Sequence, residues 1–375
     1  MRYWGVTGTN GKTTVTWIAA SFFNADPMRK CGYVTTVEVN TGSRRFYTGY
    51  TTPPLDQLKK IFAEMEANGC TDCMMEVSSH AIHQHRTGDT VFSGGVFTNL
   101  SEDHLDYHKT MEAYFDVKLD FARWIAAAHK PTPEMGRKDL PPYVVCLDGG
   151  YGREMYNAAG NLAVNVIGVS AASNPAYDLG GLQLVGDYNK SNVLCAAALA
   201  EAAGVNRGVI ESVIPMLKPR WGRLEAVENP AVKAKGYVDF AHTPDGLEKV
   251  LTAARGFTPS GGKLWVVFGA GGDRDPMKRP LIGAACAKFA DRLVVTSDNP
   301  RSEDPLSIIK AILTGSGEKA TVEPDRRKAI EYALSEAGTG DVVIIAGKGH
   351  ETTQEFKGVK YPFDDREVVR RFVRR

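Results

Sequence analysis

A glycine-rich segment at the start of the chain, Gly5 to Thr14, has the residue types of a phosphate-binding loop. Such a loop lets backbone N–H groups close around phosphate oxygens at a helix N-terminus, while Lys12 supplies positive charge and Thr13 a hydroxyl for magnesium. The strict Walker motif has glycine at the position that Val6 occupies in this chain. The closing Gly-Lys-Thr-Thr nevertheless favours a nucleotide site over a plain turn that opens a helix. The predicted ligand is a nucleoside triphosphate, held by Gly8, Thr9, Asn10, Gly11, Lys12, Thr13 and Thr14.

Two residues after predicted strands could add ligands for the magnesium ion that accompanies a triphosphate. Glu76 ends an apolar segment, where a carboxylate is unfavourable unless a cation or hydrogen bonds stabilise it, and magnesium prefers hard oxygen ligands. An ordinary salt bridge at a strand end is the alternative for Glu76. His104 follows another predicted strand, and a merely solvated imidazole is the alternative there.

Lys118 is the least expected residue of a helix predicted from Met111 onward. It falls on the apolar stripe of that helix, whose other members are Met111, Tyr114, Phe115, Phe121, Ala122 and Ile125. Its stem could lie along apolar surface while the ammonium stays in water. Alternatively, the amine is desolvated, with a lowered pKa, and is reactive enough to be modified or to contact a phosphate.

Two other groups of potential metal ligands do not favour a metal site. His80, His83 and His85 lie close in sequence but lack a nearby cysteine or further carboxylates, so they fit the start of a helix with solvated imidazoles better. Cys70 and Cys73 form a single C-x-x-C without a second pair, and six cysteines in 375 residues do not make a disulfide framework.

The composition is typical of a globular protein with small-molecule ligands. At 375 residues, with 43% hydrophobic and 24% charged residues, the chain is expected to form two domains. A formal net charge of +1 provides no basic field for nucleic acid. The longest apolar run, Val193 to Ala200, is too short to span a bilayer, and no basic-then-apolar leader opens the sequence, so a cytoplasmic location without membrane attachment is expected.

Alternating strand-like and helical segments must position the residues of the first half. Buried strands are predicted at 73–77, 95–99 and 143–148, and helices at 12–23, 55–68, from 111 onward and at 192–203. This alternation is typical of a parallel α/β sheet with polar residues at the strand exits. The proline-rich, basic segment 129–142 is predicted to be an exposed connection.

A change of composition at residues 218–223 predicts a domain boundary, with an ATP-binding P-loop-type domain at 1–218 and a Rossmann-like α/β domain at 219–375. In the second domain, strand-like runs at 264–268, 293–296 and 342–345 each lead into a polar or glycine-rich cluster. In a parallel sheet these clusters emerge at one edge, where open α/β sheets bind ligands. The second domain is therefore predicted to bind a ligand with several charges.

Seven separate blocks of sequence together resemble the Mur ligases, which are ATP-dependent amide-bond enzymes of bacterial cell-wall synthesis. The resemblance runs from Trp4 to the C-terminus and is strongest for the MurE type, which adds the third residue of the peptidoglycan stem peptide. The blocks are Gly8–Thr14, Thr51–Pro53, Glu76–His80, Asn99–His108, Asp239–Asp245, Asp298–Arg301 and Gly347–Glu351.

The resemblance implies a reaction in which a substrate carboxylate attacks the γ-phosphate of ATP, and an amino group then converts the acyl phosphate into an amide. Phosphoryl transfer relies on positioning and on charge neutralisation, which the resemblance assigns to Lys12 and to magnesium ions held by Thr13, Glu76 and His104. In the family, the lysine that matches Lys118 is carbamylated and helps to hold a second magnesium ion. Only an uncharged amine takes up carbon dioxide, so this role would explain a lysine on an apolar stripe.

The family's binding residues carry over onto three sets of positions. The nucleotide would be held across the domain boundary by Asn192, Arg223, Asp239 and His242. Of these, Asp239 would contact the ribose and His242 the adenine. The acceptor, a muramyl peptide that ends in D-glutamate, would contact Thr51, Thr52, Ser78 and Arg86. An arginine fork favours the distal carboxylate of meso-diaminopimelate, which lysine lacks, and this amino acid would contact Arg274, Asp298, Asn299, Arg301, Gly347 and Glu351.

The clearest departure from the MurE type is the expected absence of a uridine-binding domain before the loop. The muropeptide could be bound without its nucleotide, or a partner could supply the uridine contacts. Two other functions remain open: a ligase of the same superfamily with an acceptor that lacks UDP, like the folylpolyglutamate synthetases, and a non-catalytic nucleotide-binding relative. The blocks at 76–80 and 298–301 argue against folate. The second alternative is disfavoured by the joint presence of Lys12, Thr13, Glu76, His104 and Lys118.

Overall fold

The structure is a computed structural model that describes residues 1–132, 134–173, 176–317 and 320–374. It divides into two compact units, Met1–Leu217 and Lys218–Arg375. Each unit combines one large sheet with helices, so the predicted α/β class is confirmed. Within the described ranges, the helices lack the combination of length and apolar character that crossing a membrane requires.

The first unit begins with a strand that leads directly into the glycine-rich loop. Its strands are β1 (Arg2–Thr7), β2 (Cys31–Val34), β3 (Val39–Asn40), β4 (Arg45–Phe46), β5 (Asp72–Glu76), β6 (Phe92–Phe97), β7 (Pro142–Cys146) and β8 (Asn165–Val169). Its helices are α1 (Lys12–Ala25), α2 (Leu55–Ala67), α3 (Ser79–His83), α4 (Leu105–His108), α5 (Met111–Ala128), α6 (Gly152–Gly160), α7 (Asp187–Ala202) and α8 (Arg207–Val213), with 3₁₀ turns at Arg137–Asp139 and Ile214–Met216.

The sheet of the first unit places the loop after β1 at its centre. The strand order is β4-β3-β2-β5-β1-β6-β7-β8. The strands β2, β5, β1, β6, β7 and β8 are parallel, whereas β3 and β4 form an antiparallel edge that the sequence did not reveal. Because β1 lies between β5 and β6, its loop is at a topological switch point, where open α/β sheets bind ligands.

Close packing explains why small residues line β1 and β6. A Cβ built at Gly5 would lie 2.3 Å from Phe121 Cζ, and one built at Gly95 would lie 2.7 Å from Phe121 Cε1. Phe121 is fully buried on α5, in the same core cluster as Ile125. The apolar stripe of α5 therefore packs against these two strands, and this packing carries Lys118 to the loop.

The second unit ends in a separate hairpin and a short helix. Its strands are β9 (Glu225–Val227), β10 (Lys235–Asp239), β11 (Leu264–Phe268), β12 (Arg292–Val295), β13 (Ala320–Val322), β14 (Val342–Ala346), β15 (Thr353–Phe356) and β16 (Val359–Pro362). Its helices are α9 (Pro244–Phe257), α10 (Lys278–Phe289), α11 (Pro305–Ser316), α12 (Arg326–Glu336) and α13 (Asp365–Arg371).

The sheet of the second unit has the order β13-β12-β11-β14-β10-β9. Its first five strands are parallel, β9 is antiparallel, and β15 pairs with β16 outside this sheet. Since β12, β11 and β14 are neighbours, the turns that follow them emerge at one edge. The predicted gathering of the three polar clusters is confirmed.

Most predicted elements are present with shifted boundaries. The helix predicted at 192–203 begins at Asp187, because its first turn is polar and apolar periodicity did not reveal it. The predicted connection 129–142 contains the 3₁₀ turn and the first residue of β7, Pro142, a position where a strand tolerates proline. Pro133 lies outside the described residues.

Candidate active site

The loop after β1 is fixed to the segment that follows β6. The backbone N–H of Thr9 donates to Asn99 O at 2.8 Å, and that of Asn10 donates to Asn99 Oδ1 at 3.0 Å. Thr98 Oγ1 donates to Asn10 O at 2.6 Å. Gly8 has a φ of 142°, and a Cβ there would lie 2.0 Å from Thr98 Oγ1, so the turn requires glycine. The predicted phosphate-loop residues thus form one continuous turn into α1: Gly8, Thr9, Asn10, Gly11, Lys12, Thr13 and Thr14.

Lys12 and Thr13 stand in the first turn of α1. Lys12 Nζ donates to Gly8 O at 3.0 Å and to Thr9 O at 2.8 Å, so its charge lies against the loop. Thr13 Oγ1 donates to Glu76 Oε1 at 2.7 Å. The loop is therefore faced by the positive end of a helix dipole, an ammonium group and a hydroxyl, a combination suited to phosphate.

Glu76 ends β5 and is 1% exposed. Besides Thr13, the Thr36 backbone N–H donates to Oε1 at 2.7 Å and Thr36 Oγ1 donates to Oε2 at 3.0 Å. These hydrogen bonds offset the desolvation of the carboxylate. Adjacent ligands of an octahedral magnesium ion lie about 2.9 Å apart, and the 2.7 Å between Thr13 Oγ1 and Glu76 Oε1 fits that spacing. The two oxygens suit a hard divalent cation.

Lys118 is fully buried, with 0% exposure. Its Nζ donates to Thr7 Oγ1 at 3.1 Å and to Gly8 O at 3.0 Å. Desolvation, followed by the positive charge of Lys12, lowers the pKa of this amine well below its usual value. The snorkelling alternative is wrong, because α5 carries the amine into the interior. The structure thus holds beside the loop an amine whose burial favours the uncharged form.

His104 precedes α4 in a left-handed conformation with a φ of 54°. Its Nε2 lies 3.4 Å from Asp103 Oδ2, and its backbone N–H donates to Asp103 Oδ1 at 2.9 Å. The side chain is 42% exposed, and partial burial lowers the pKa of the imidazole. A neutral ring can ligate a metal, but magnesium prefers oxygen. The nearest carboxylate oxygen in this segment belongs to the buried Asp103. Because His104 itself offers only nitrogen, a magnesium ion would fit Thr13 and Glu76 better than His104.

The histidines at 80, 83 and 85 lie on α3 and in the turn after it. The ring centroid of His80 is 4.2 Å from that of Tyr107 and 4.9 Å from that of His104, and the residue is half-buried, so the expectation of a solvated imidazole is wrong for His80. His83 and His85 are exposed, as expected. The described ranges contain no group of three or more His, Cys, Asp or Glu residues arranged to hold a metal.

The four residues predicted to meet the acceptor lie around the end of β5. Thr52 is 0% exposed, and its hydroxyl donates to Glu76 O at 2.8 Å, which leaves no surface for a substrate. The Ser78 N–H donates to Thr52 Oγ1 at 3.1 Å, and Arg86 Nη1 donates to Thr52 O at 3.3 Å. Thr51, Ser78 and Arg86 are half-buried. Thr52 therefore supports Ser78 and Arg86 and does not face a ligand itself.

In the second unit, the turns after β12 and β14 meet in a charged cluster. Lys348 is 0% exposed, and its Nζ donates to Asn299 Oδ1 at 3.0 Å and to Glu351 Oε2 at 2.7 Å. The Asn299 N–H donates to Asp298 Oδ1 at 2.7 Å. Gly347 has a φ of 110°, and a Cβ there would lie 2.6 Å from Asp298 Oδ2. Four residues predicted for the amino-acid pocket are thus brought together: Asp298, Asn299, Gly347 and Glu351.

The two predicted arginines of this pocket flank Gly271. A Cβ built at Gly271 would lie 2.9 Å from Arg301 Nη1 and 3.7 Å from Arg274 Cγ. Arg301 Nη1 donates to Gly272 O at 2.7 Å, and its Nε lies 3.9 Å from Glu355 Oε2. Arg274 is exposed. Both guanidinium groups lie at the sheet edge that carries the charged cluster, which suits a ligand with a carboxylate.

The residues predicted to hold the nucleoside lie in both units. Asn192 is on α7 and lies close to the phosphate-binding loop, because its Oδ1 would be 2.5 Å from a Cβ built on Gly11. In the second unit, the Arg223 guanidinium lies 4.7 Å from the ring centroid of Phe240, and His242 Nδ1 lies 2.9 Å from Phe240 O. Asp239 accepts two backbone N–H bonds at 2.6 and 2.7 Å, and burial raises its pKa. The roles of these residues stay predictions.

Sequence reasoning missed three residues that hold predicted site residues in place: Thr36, Asp103 and Lys348. Asp103 and Lys348 lie inside sequence blocks that were singled out, so their charge could have drawn attention. Thr36 lies in the turn between β2 and β3, outside any motif, and only the structure reveals its contact with Glu76.

Both units match known protein families. Residues 6–181 match the Mur ligase middle domain. Residues 222–349 match the family described as "Mur ligase, glutamate ligase domain".

Several similar proteins carry the name UDP-N-acetylmuramoyl-L-alanyl-D-glutamate--2,6-diaminopimelate ligase. The one from Neisseria meningitidis serogroup A is 38% identical in an alignment of 383 positions that covers 98% of this chain and 77% of the relative. The one from Aquifex aeolicus is 38% identical, again over 98% of this chain and 77% of the relative. A solved structure with that name has a TM-score of 0.61 and 32% identity, and the match covers 98% of this chain and 77% of that structure. A folylpolyglutamate synthase from Mycobacterium tuberculosis has a TM-score of 0.64 but 18% identity, over 92% of this chain and 88% of that structure, which shows a shared fold alone.

Proposed function

Because this chain belongs to the Mur ligase family, we propose that it joins the amino group of meso-diaminopimelate to the D-glutamate carboxylate of a muramyl peptide, with conversion of ATP to ADP and phosphate. The prediction of an ATP-dependent amide ligase of this family is confirmed by the relatives. The observation that carries the proposal is the convergence of Lys12, Thr13, Glu76 and Lys118 on one glycine-rich loop. We place the reaction in the cytoplasm, in peptidoglycan synthesis.

The phosphoryl-transfer step depends on fixed positive charge around the terminal phosphate. Lys12 and the amino end of α1 supply that charge at the loop. Magnesium, when bound, would neutralise the phosphate oxygens and orient them. Its proposed ligands are Thr13, Glu76, His104 and carbamylated Lys118.

Lys118 suits carbamylation because its amine is buried, and burial favours the uncharged form that reacts with CO₂. The nitrogen lone pair forms a bond to the carbon of CO₂, one proton leaves the nitrogen, and the product is an anionic carbamate. This changes a nitrogen donor into an oxygen ligand, the type that magnesium prefers. The hydrogen bonds of the Lys118 amine to Thr7 and Gly8 support this role, because they hold the nitrogen beside the loop.

The amide-forming step requires the amino acid to be held at the second unit. Arg301, with Arg274 beside it, would pair with the distal carboxylate, and Asp298 or Glu351 would pair with the distal ammonium group. Thr51, Ser78 and Arg86 would contact the acceptor, and the nucleoside would be held by Asn192, Arg223, Asp239 and His242.

A phosphate-release assay with ATP, magnesium and a panel of acceptors, with and without UDP, tests this proposal. We expect meso-diaminopimelate to raise turnover and lysine to leave it unchanged. The Arg301→Ala variant should raise the KM for meso-diaminopimelate by about 10- to 100-fold, because a charge pair in the pocket is lost. Arg255→Ala, which removes an exposed arginine paired with Asp291 in the same unit, is the matched control.

The possible outcomes separate the parts of the proposal. Phosphate release that does not depend on any amino acid would contradict the ligase function. An unchanged preference in Arg301→Ala would contradict the assignment of the pocket alone.

A further inference from the structure

Lys348, in the turn after β14, has no part in the reaction described so far. Lysine is almost never fully buried unless it is paired, and this side chain is 0% exposed. Its Nζ donates to Glu351 Oε2 at 2.7 Å, and the Glu351 side chain is 32% exposed. A ligand at this sheet edge can therefore reach Glu351 but not Lys348.

Hydrogen bonds close a ring around Lys348. Asn299 Oδ1 accepts from Lys348 Nζ at 3.0 Å, and Asn299 Nδ2 donates to Glu351 Oε2 at 2.8 Å, so two donors fix the same carboxylate oxygen. Asn299 Oδ1 also accepts from the Glu355 N–H of β15 at 3.0 Å. Lys348 thereby connects the turn after β12, the turn after β14 and β15.

The β15 strand and the turn after it also bind the backbone of Arg301. The Arg301 N–H donates to Glu355 O at 3.1 Å, and the Lys357 N–H donates to Arg301 O at 2.6 Å. Arg301 has a φ of 52°, which residues other than glycine rarely adopt, so these backbone bonds maintain an unusual conformation. The direction of the Arg301 side chain thus depends on the strand to which Asn299 and Lys348 are attached.

We propose that Lys348 is a positioning residue for the amino-acid substrate, which together with Asn299 orients Glu351 toward the ammonium group of that substrate and thereby sets the selectivity of the pocket. This inference rests on the proposed function, in which the second unit binds the incoming amino acid. Lys348 acts through Glu351 and does not touch the substrate. Its removal should therefore affect the amino acid and spare the nucleotide.

The test compares Lys348→Met, Glu351→Gln and the double variant in the 375-residue chain. The assay uses whichever amino acid the wild-type protein turns over. We expect Lys348→Met to raise the KM for that amino acid at least tenfold, to leave the KM for ATP within twofold, and to weaken the preference over other amino acids. In the Glu351→Gln background, Lys348→Met should change the KM less than twofold, because interacting residues are not additive.

Lys249→Met is the matched control, since Lys249 forms a partly exposed pair with Asp245 at 2.8 Å in the same unit. It should leave every parameter within twofold. The proposal would be overturned if Lys348→Met raised the KM for the amino acid equally in the wild-type and the Glu351→Gln proteins. It would also be overturned if the KM for ATP changed in parallel with the KM for the amino acid.

A folding defect would not block the test. If Lys348→Met leaves Glu351 unpaired and fails to fold, the double variant, which removes both charges, still decides the question. A KM equal to that of Glu351→Gln supports the proposal, and a KM tenfold higher overturns it. Wild-type turnover with lysine would contradict the proposed substrate, yet the same comparison would then be made with lysine.

Discussion

Among the residues that the structure describes, two lysines, one in each unit, are fully buried, and their partners differ. Lys118 donates to a threonine hydroxyl and a backbone carbonyl, whereas Lys348 donates to the Glu351 carboxylate and to an amide oxygen. Burial, followed by the charge of Lys12, lowers the pKa of Lys118, while Lys348 lies in a direct ion pair. The first lysine is therefore suited to chemical modification, and the second organises the polar groups around it.

The two lysines also reach their sites in different ways. Lys348 lies three positions before its carboxylate partner, in the turn that forms the pocket. Lys118 is carried to the loop by α5, from a part of the sequence more than a hundred residues away. Long-range packing thus brings this amine into hydrogen-bond contact with neutral groups at the loop. Nearby Asp103 raises the pKa of Lys118, but desolvation and the charge of Lys12 outweigh it.

The largest expected effect comes from Lys118→Ala. If the lysine carries the carbamate that completes the magnesium site, its loss should reduce turnover in the phosphate-release assay by roughly 10³-fold. Formate or acetate should restore part of the activity, because each can supply the missing carboxylate-like oxygens. Lys190→Ala is the control, since Lys190 is an exposed lysine paired with Asp187 on α7.

A Lys118→Ala variant with turnover within tenfold of the wild type would contradict this role. Lys118 would then be only a packing residue of α5, and the contrast with Lys348 would have no catalytic meaning.

The two sites also differ in how far the sequence predicts them. Thr13 and Glu76 could be placed together because both follow strands of a parallel sheet, whose ends meet at one edge. The burial of Lys348 could not be predicted, because it depends on how the turn after β12 and β15 pack around it. Thr52 was predicted to meet the acceptor, but its 0% exposure results from the packing of its segment against β5, which no motif encodes. Motifs thus predict strand exits well, and they predict poorly the contacts that distant turns contribute.

An intermediate effect is expected when Lys348 loses its carboxylate. Glu351→Gln removes the charged partner that lies 2.7 Å from the buried Lys348 Nζ, so the free energy of unfolding should fall by about 1 to 3 kcal/mol. Urea unfolding measures this. Glu367→Gln, which removes an exposed partner of Arg370 in the same unit, should change the free energy of unfolding by less than about 0.5 kcal/mol. An equally small change in both variants would contradict a special role for the carboxylate beside Lys348.

The smallest effect concerns His350, a base whose pKa, like that of Lys118, is lowered by burial and by nearby positive charge. Its ring centroid lies 5.0 Å from that of Phe240, and Nδ1 has no hydrogen-bond partner in the described part of the chain. Burial, followed by the charges of Arg223 and Arg366, lowers the pKa of the imidazole from 6.5 to about 3. The unfolded chain therefore binds a proton at higher pH than the folded protein does.

The sign of the pH dependence follows from that difference. The contribution of His350 to stability should be complete above pH 6.5 and should be lost progressively as the pH falls toward 3. Between pH 7 and pH 5 the loss is at most about 2 kcal/mol. Urea unfolding at both pH values should show a smaller decrease for His350→Gln than for wild type, whereas His85→Gln, at an exposed position, should match wild type. An equal decrease in all three proteins would mean that His350 is already protonated in the folded state, so that burial and nearby positive charge would not suffice to keep a base neutral in this unit.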